Sequence, residues 1–112
     1  MITLNRTATV ISANLVDALV YAREIADYIW EKTGKEVTVE MPVGGTWSQI
    51  RWTAHFESLG GYEAWSTGLR ADPKYMALLT SGSRFLIEGS GIDHLWRTVG
   101  SHHHPHRDND QG

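Results

Sequence analysis

Arg51, Thr53 and His55 alternate along the stretch TWSQIRWTAHFES, residues 46–58, and between them offer a cation, a hydroxyl and a base. At the two-residue repeat of a strand they share one face. A histidine so placed can act as a general base toward an acidic phenol or enol. An arginine beside it can stabilise the enolate that results. The same residues also have a structural use: His55 hydrogen-bonded where two subunits meet, and Arg51 paired with Glu40 on a neighbouring strand.

His94 and Trp96 sit two apart near the end of the chain, again on one face. His94 is of the type that binds haem or a metal, but ligand sets need several groups at set spacings. Packing or a rim hydrogen bond is the alternative. The run HHHPH, 102–106, takes divalent metal in almost any context but fixes no coordination geometry. No metal site and no cofactor is therefore assigned. There is no cysteine, no glycine-rich phosphate loop, no nucleophile elbow and no zinc-ligand helix motif. Thiolate, nucleotide-dependent and triad chemistry are set aside.

The formal net charge is −3 and no basic block is present, so nucleic-acid binding has no electrostatic footprint. No apolar run approaches the roughly 20 residues that span a bilayer. The opening MITLNRTATVISANL lacks the order of a signal peptide. The expectation is a soluble, cytoplasmic protein with no membrane partner. Five tryptophans, at positions 30, 47, 52, 65 and 96, supply core or interface packing, or else line an aromatic pocket.

The elements that must position these groups follow from periodicity. Residues 2–11 alternate as a strand, with Ile2, Leu4, Ala8 and Val10 on one face and Thr3, Asn5, Thr7 and Thr9 on the other. Arg6 interrupts the apolar set, as an edge or snorkelling residue does. Residues 14–33 carry a helical apolar face of Leu15, Ala18, Leu19, Ala22, Ile25, Ala26, Ile29 and Trp30, with Asn14 as N-cap and Gly34 as the left-handed stop. EVTVEM, 36–41, is a second strand, and PVGG turns the chain into a third that begins at Trp47. On that third strand Ile50, Trp52, Ala54 and Phe56 face the helices, while Trp47, Arg51, Thr53 and His55 face away. Ser58 caps a helical region with Leu59, Tyr62, Trp65 and Leu69 at helical spacing. ADP, 71–73, interrupts it, and Asp72 with Pro73 starts a new helix whose stripe is Met76, Leu79, Ser83 and Leu86. Gly82 weakens that segment. IDHLWRTV, 92–99, is the last strand. Residues 100–112 form a polar tail outside the domain of residues 1–99.

Strand, helix, strand, strand, helix, strand is the split βαβ, ferredoxin-like order of an α+β domain, with a four-stranded antiparallel sheet covered on one face. The bare face carries Asn5, Thr7, Thr38, Arg51, Thr53 and His55, too mixed for a dry core and too aromatic at its edges for a plain solvated surface. Two such sheets can meet in a homodimer and enclose a shared interior.

Three stretches resemble the dimeric α+β barrel superfamily, and within it the NIPSNAP-like and antibiotic-biosynthesis-monooxygenase-like branches. They are IRWTAHFESLGGYEAW, LRADPKYMALL and GSGIDHLWRTV. The resemblance covers residues 1–99. It implies a dimer with a pocket between each sheet and its helices. It also implies a small aromatic or polyketide-like ligand, bound or acted on by a cofactor-independent oxygenase or cyclase; a non-catalytic binding or assembly module and a haem binder are the other readings. In that fold Tyr62, Trp65 and Tyr75 flank the pocket mouth. With Asn5, Trp47, Thr53, His94 and Trp96 they make the candidate pocket, and His55 and Arg51 are the candidate catalytic pair.

Overall fold

The computed structural model describes residues 1–100. The His-rich tail lies outside the described residues, except for Gly100. The chain runs β1 (Ile2–Thr9), α1 (Leu15–Thr33), β2 (Thr38–Glu40), β3 (Gln49–Phe56), α2 (Leu59–Arg70), α3 (Pro73–Gly82) and β4 (Ile92–Arg97). The sheet order is β2-β3-β1-β4, with every neighbouring pair antiparallel. This is the ferredoxin-like α+β arrangement that the order of elements predicts, with the second helical region split in two at Ala71–Asp72.

The alternation in β1 and β3 decides which face is covered. Ile2, Leu4 and Ala8 from β1 and Ile50, Trp52, Ala54 and Phe56 from β3 are all buried. Against them α1 lays Ala18, Tyr21, Ala22, Ile25 and Ile29. Two alanines on this stripe bring the helix close to the sheet, and the Trp52 indole N–H donates to the Ala22 carbonyl at 3.2 Å. Local signals end the helices where the sequence places them. Gly34 takes φ +72° after α1. Ser58 accepts from the Gly61 amide at the start of α2. Asp72 accepts from the amides of Lys74 and Tyr75 at the start of α3.

Several expectations are corrected. Trp47 is not on the third strand: β3 starts at Gln49, and Trp47 stands 84% exposed in the connecting loop. Pro42 has no amide to extend β2, and positive φ at Gly45 and Ser48 keeps the chain out of extended geometry until Gln49. Strand β2 accordingly shrinks to Thr38–Glu40. Trp30 is exposed, and Tyr21 takes the core place instead. The buried stripe 18, 22, 25, 29 is completed by position 21 on the side opposite Trp30. Asn14 makes no side-chain cap; a short 3-10 turn at Ser12–Asn14 leads into α1, with the Asn14 amide bonded to the Ile11 carbonyl. The stripe expected on α3 does not form. The helix ends at Gly82, Tyr75 is buried and Met76 is exposed, while Leu86 lies in extended chain bridged to Val10.

Candidate functional site

The sheet has two faces, and they offer different chemistry. On the open face the strand register lines residues up in rows. Trp96, Thr3 and His55 form one row; His94, Asn5, Thr53 and Thr38 the next; Ile92, Thr7, Arg51 and Glu40 a third. Much of this surface is already hydrogen-bonded. The Thr3 hydroxyl and His55 Nδ1 share a bond of 3.1 Å. Arg51 Nε donates to Glu40 at 3.0 Å, and Thr53 Oγ1 lies 2.6 Å from the same Glu40 oxygen and 2.9 Å from Asn5 Oδ1. The bonds from Thr53 and then Arg51 hold the Glu40 carboxyl below its ordinary range. The pairing of Arg51 with Glu40 is the structural use foreseen for it. His94 and Trp96 stand side by side on β4, ring centroids 6.3 Å apart, both exposed.

The covered face holds a cavity of about 190 Å³ between the sheet and the three helices. Its walls are apolar: Leu4, Ala8, Ile25, Trp52, Ala54 and Leu79, with Tyr21, Trp65 and Tyr75 adding aromatic surface. An apolar cavity of about 150 Å³ takes up benzene, so this one has room for one or two rings and not for a porphyrin or a tetracyclic polyketide. Sequence reasoning placed Trp65 and Tyr75 among the pocket residues, and both line this cavity. Tyr62 packs instead with Phe56 and Trp65 in an aromatic cluster beside it, 5.4 Å from the Phe56 ring. Asn5, Arg51, Thr53, His55, His94 and Trp96 lie on the opposite face of the sheet and do not line the cavity.

One charged side chain does reach it. Arg6 lines the cavity, and its Nε and Nη2 donate to the two carboxylate oxygens of Asp93 at 2.6 and 2.8 Å. The pair arises because Arg6 of β1 sits directly opposite Asp93 of β4. The bonds from Arg6 hold Asp93 below the usual carboxylate range, and the arginine is correspondingly harder to deprotonate. Burial pushes the Tyr75 phenol up, with the positive charge of Arg6 opposing it. Burial pushes Tyr21 up to about 12, and its hydroxyl donates to the Leu79 carbonyl at 3.0 Å. The Trp65 indole nitrogen is buried and has no hydrogen-bond partner among the described residues. Arg6 and Asp93 were absent from the candidate residues. The signal was Arg6 on a face of β1 that is otherwise apolar; only the β1–β4 register joins it to Asp93.

Among the described residues no three of His, Cys, Asp and Glu come together to hold a metal ion, and no helix is long and apolar enough to cross a membrane. No protein-family model matches the sequence, and no curated protein matches it. Solved structures do match. A NIPSNAP domain protein from Burkholderia xenovorans superposes with a TM-score of 0.75 at 14% identity, over 88% of this chain and 95% of that one. Protein Atu4242 from Agrobacterium tumefaciens gives 0.72 at 20% identity, over 88% and 94%. A proposed antibiotic biosynthesis monooxygenase from Deinococcus radiodurans gives 0.68 at 13% identity, over 92% and 97%. At these identities the likeness speaks for the fold alone, and the chain has the α+β fold shared by NIPSNAP-domain and antibiotic-biosynthesis-monooxygenase-like structures.

Proposed function

We propose that the protein binds one small aromatic molecule of one or two rings in the cavity between its sheet and its helices. The observation that carries this reading is the cavity itself, about 190 Å³ with apolar and aromatic walls and one charged side chain, Arg6, in its lining. Most small-molecule sites have this composition, many apolar contacts and few polar ones that set orientation.

Ligand binding is favoured over base catalysis. The ionisable groups that line the cavity are Arg6, Tyr21 and Tyr75; none of the three is a base at neutral pH, and Asp93 is occupied by Arg6. His55, the candidate base, stands on the other face of the sheet. A catalytic version, in which a bound ring is oxidised or cyclised, has its support in the likeness to the proposed monooxygenase. The ligand then reacts within the pocket rather than at His55.

The protein also pairs with a second copy through the open sheet face. That face satisfies its own polar groups through Glu40, Arg51, Thr53, Asn5, Thr3 and His55, and β4 adds exposed Ile92 and Trp96. A surface with its hydrogen bonds already made and aromatic area at one side costs little to cover.

Calorimetric titration with 2-naphthol tests the pocket. Saturable one-to-one binding, lost when Ala54→Leu fills the cavity, supports it. Binding that survives Ala54→Leu contradicts it. Mass analysis of the recovered naphthol separates binding from turnover.

A further inference from the structure

One end of the cavity carries charge, and the balance there is uneven. A guanidinium has five N–H donors, and Asp93 takes one from Nε and one from Nη2 of Arg6, which leaves three on its outer edge. Arg6 lines the cavity, and Tyr75, whose phenol lies near that guanidinium, lines it too. The Tyr75 hydroxyl donates to no acceptor among the described residues. Its oxygen is not closed off as the Trp65 nitrogen is, which alone among their side-chain nitrogens and oxygens is both buried and unpartnered. Arg70, in the last turn of α2, acts on Tyr75 and on Asp93 as a second positive charge. Two arginines thus stand against one aspartate at this end.

A carboxylate suits this end better than a neutral polar group does. It has two acceptor oxygens, and the charged N–H groups of an arginine bind them in pairs. Its charge also meets the local excess of positive charge. A phenol cannot use that excess, since it stays neutral below about pH 10. The opposing cost is the water the carboxylate leaves behind, which is offset only where several donors share the charge. Asp93, which repels it, lies outside the lining. Resting on the pocket reading above, we propose that the cavity takes aromatic carboxylates. The ring lies among the apolar walls, and the carboxylate accepts from the Tyr75 hydroxyl and from the unused N–H edge of Arg6. Arg70 adds to the attraction without touching the ligand.

The test compares three probes of one shape: benzoate, benzamide and toluene. Their binding is measured by ligand-observed magnetic resonance on the full chain at neutral pH and low salt. The wild-type protein binds benzoate more tightly than benzamide by about tenfold, the worth of charge-assisted hydrogen bonds over neutral ones. Toluene displaces benzoate, because both rings need the same space. Tyr75→Phe keeps the ring and removes the donor; it weakens benzoate by about tenfold and leaves toluene unchanged. Arg70→Gln, at an exposed position, weakens benzoate by about twofold and leaves benzamide unchanged. Circular dichroism checks that each variant folds. Should Tyr75→Phe fail to fold, the wild-type ratio and Arg70→Gln decide. Benzamide binding as tightly as benzoate to the wild type overturns the proposal. So does benzoate that toluene cannot displace, and so does a Tyr75→Phe variant that binds benzoate as the wild type does or loses toluene and benzoate alike. Toluene that binds saturably with no preference for benzoate over benzamide sinks this proposal and spares the pocket. Failure of all three to bind sinks both.

Discussion

Gly82 at the end of α3 lies flat against the ring of Tyr21 on α1: a β-carbon at position 82 would stand 2.0 Å from the ring. The ring cannot swing away easily, because the Tyr21 hydroxyl is bonded to the Leu79 carbonyl and the ring packs with Phe85, 6.2 Å between centroids. A glycine that reads as a weakness in the helix is in fact the seat of a core aromatic. Gly82→Ala is therefore expected to destabilise the protein by about 1–3 kcal/mol, the range for overpacking a core. Urea denaturation measures it, and an unchanged midpoint would contradict this packing.

Acid should unfold the protein through a few carboxyl groups. Asp93 is held down by its bonds from Arg6, Glu40 by Thr53 and then Arg51, and Asp72 by the Tyr28 hydroxyl. Each has a folded value below its unfolded one. Their contribution is therefore complete above the unfolded carboxyl range, about pH 4, and is lost as pH falls through the folded values. The urea midpoint is expected to fall on acidification below about pH 4, and to fall less in Asp93→Asn. An equal acid dependence in the variant would remove Asp93 from this account.

At the alkaline end the tyrosines should titrate late. Bonding to Asp72 raises Tyr28 to about 12, and burial raises Tyr21 to about 12. A phenol raised in the folded state stabilises it below the unfolded value, about pH 10, and that contribution is lost as pH rises through the folded value. Near-ultraviolet absorbance should show these two tyrosines protonated through pH 11 and ionising with unfolding. Tyr28→Phe should remove one late-titrating group. Four phenols ionising together near pH 10 would contradict both assignments.

The proposed pairing through the open face would make Trp96 a contact residue. It is 60% exposed on the isolated chain, in one row with Thr3 and His55. Trp96→Glu should turn a dimer into a monomer in sedimentation experiments while leaving the circular dichroism spectrum unchanged. Trp47→Glu, in the exposed loop, should do so less. A Trp96→Glu dimer of wild-type stability would mean the open face is not where two copies meet.

What could be read from the sequence divides along physical lines. The caps at Ser58 and Asp72 and the stop at Gly34 were legible because each is settled by neighbours in the chain. The faces of β1 and β3 were legible because a strand has only two. The apolar stripe of α1 was half legible: with Tyr21 and Trp30 both large and aromatic, periodicity alone left open which side of Ala18–Ile29 turned inward. Trp47 was misplaced because the left-handed turn at Ser48 has no sequence signature. The cavity was not legible at all. Its lining comes from every helix and two of the strands, β1 and β3, and it exists because of what those side chains leave empty. Arg6 and Asp93 needed the strand register to be seen as one feature, whereas His55 and Arg51 drew notice because they are adjacent in a single strand.

The central claim is that the ligand sits between sheet and helices, not on the open face. Proton–nitrogen correlation spectra of the indole N–H groups, recorded during a 2-naphthol titration, address it directly, because the five tryptophans report from different places. The Trp65 signal, buried and unpartnered among the described residues, should move saturably, with Trp52 following. The signals of Trp30, Trp47 and Trp96, all exposed, should stay still. A saturable shift at Trp96 with Trp65 unmoved would place the ligand on the open sheet face and contradict the account.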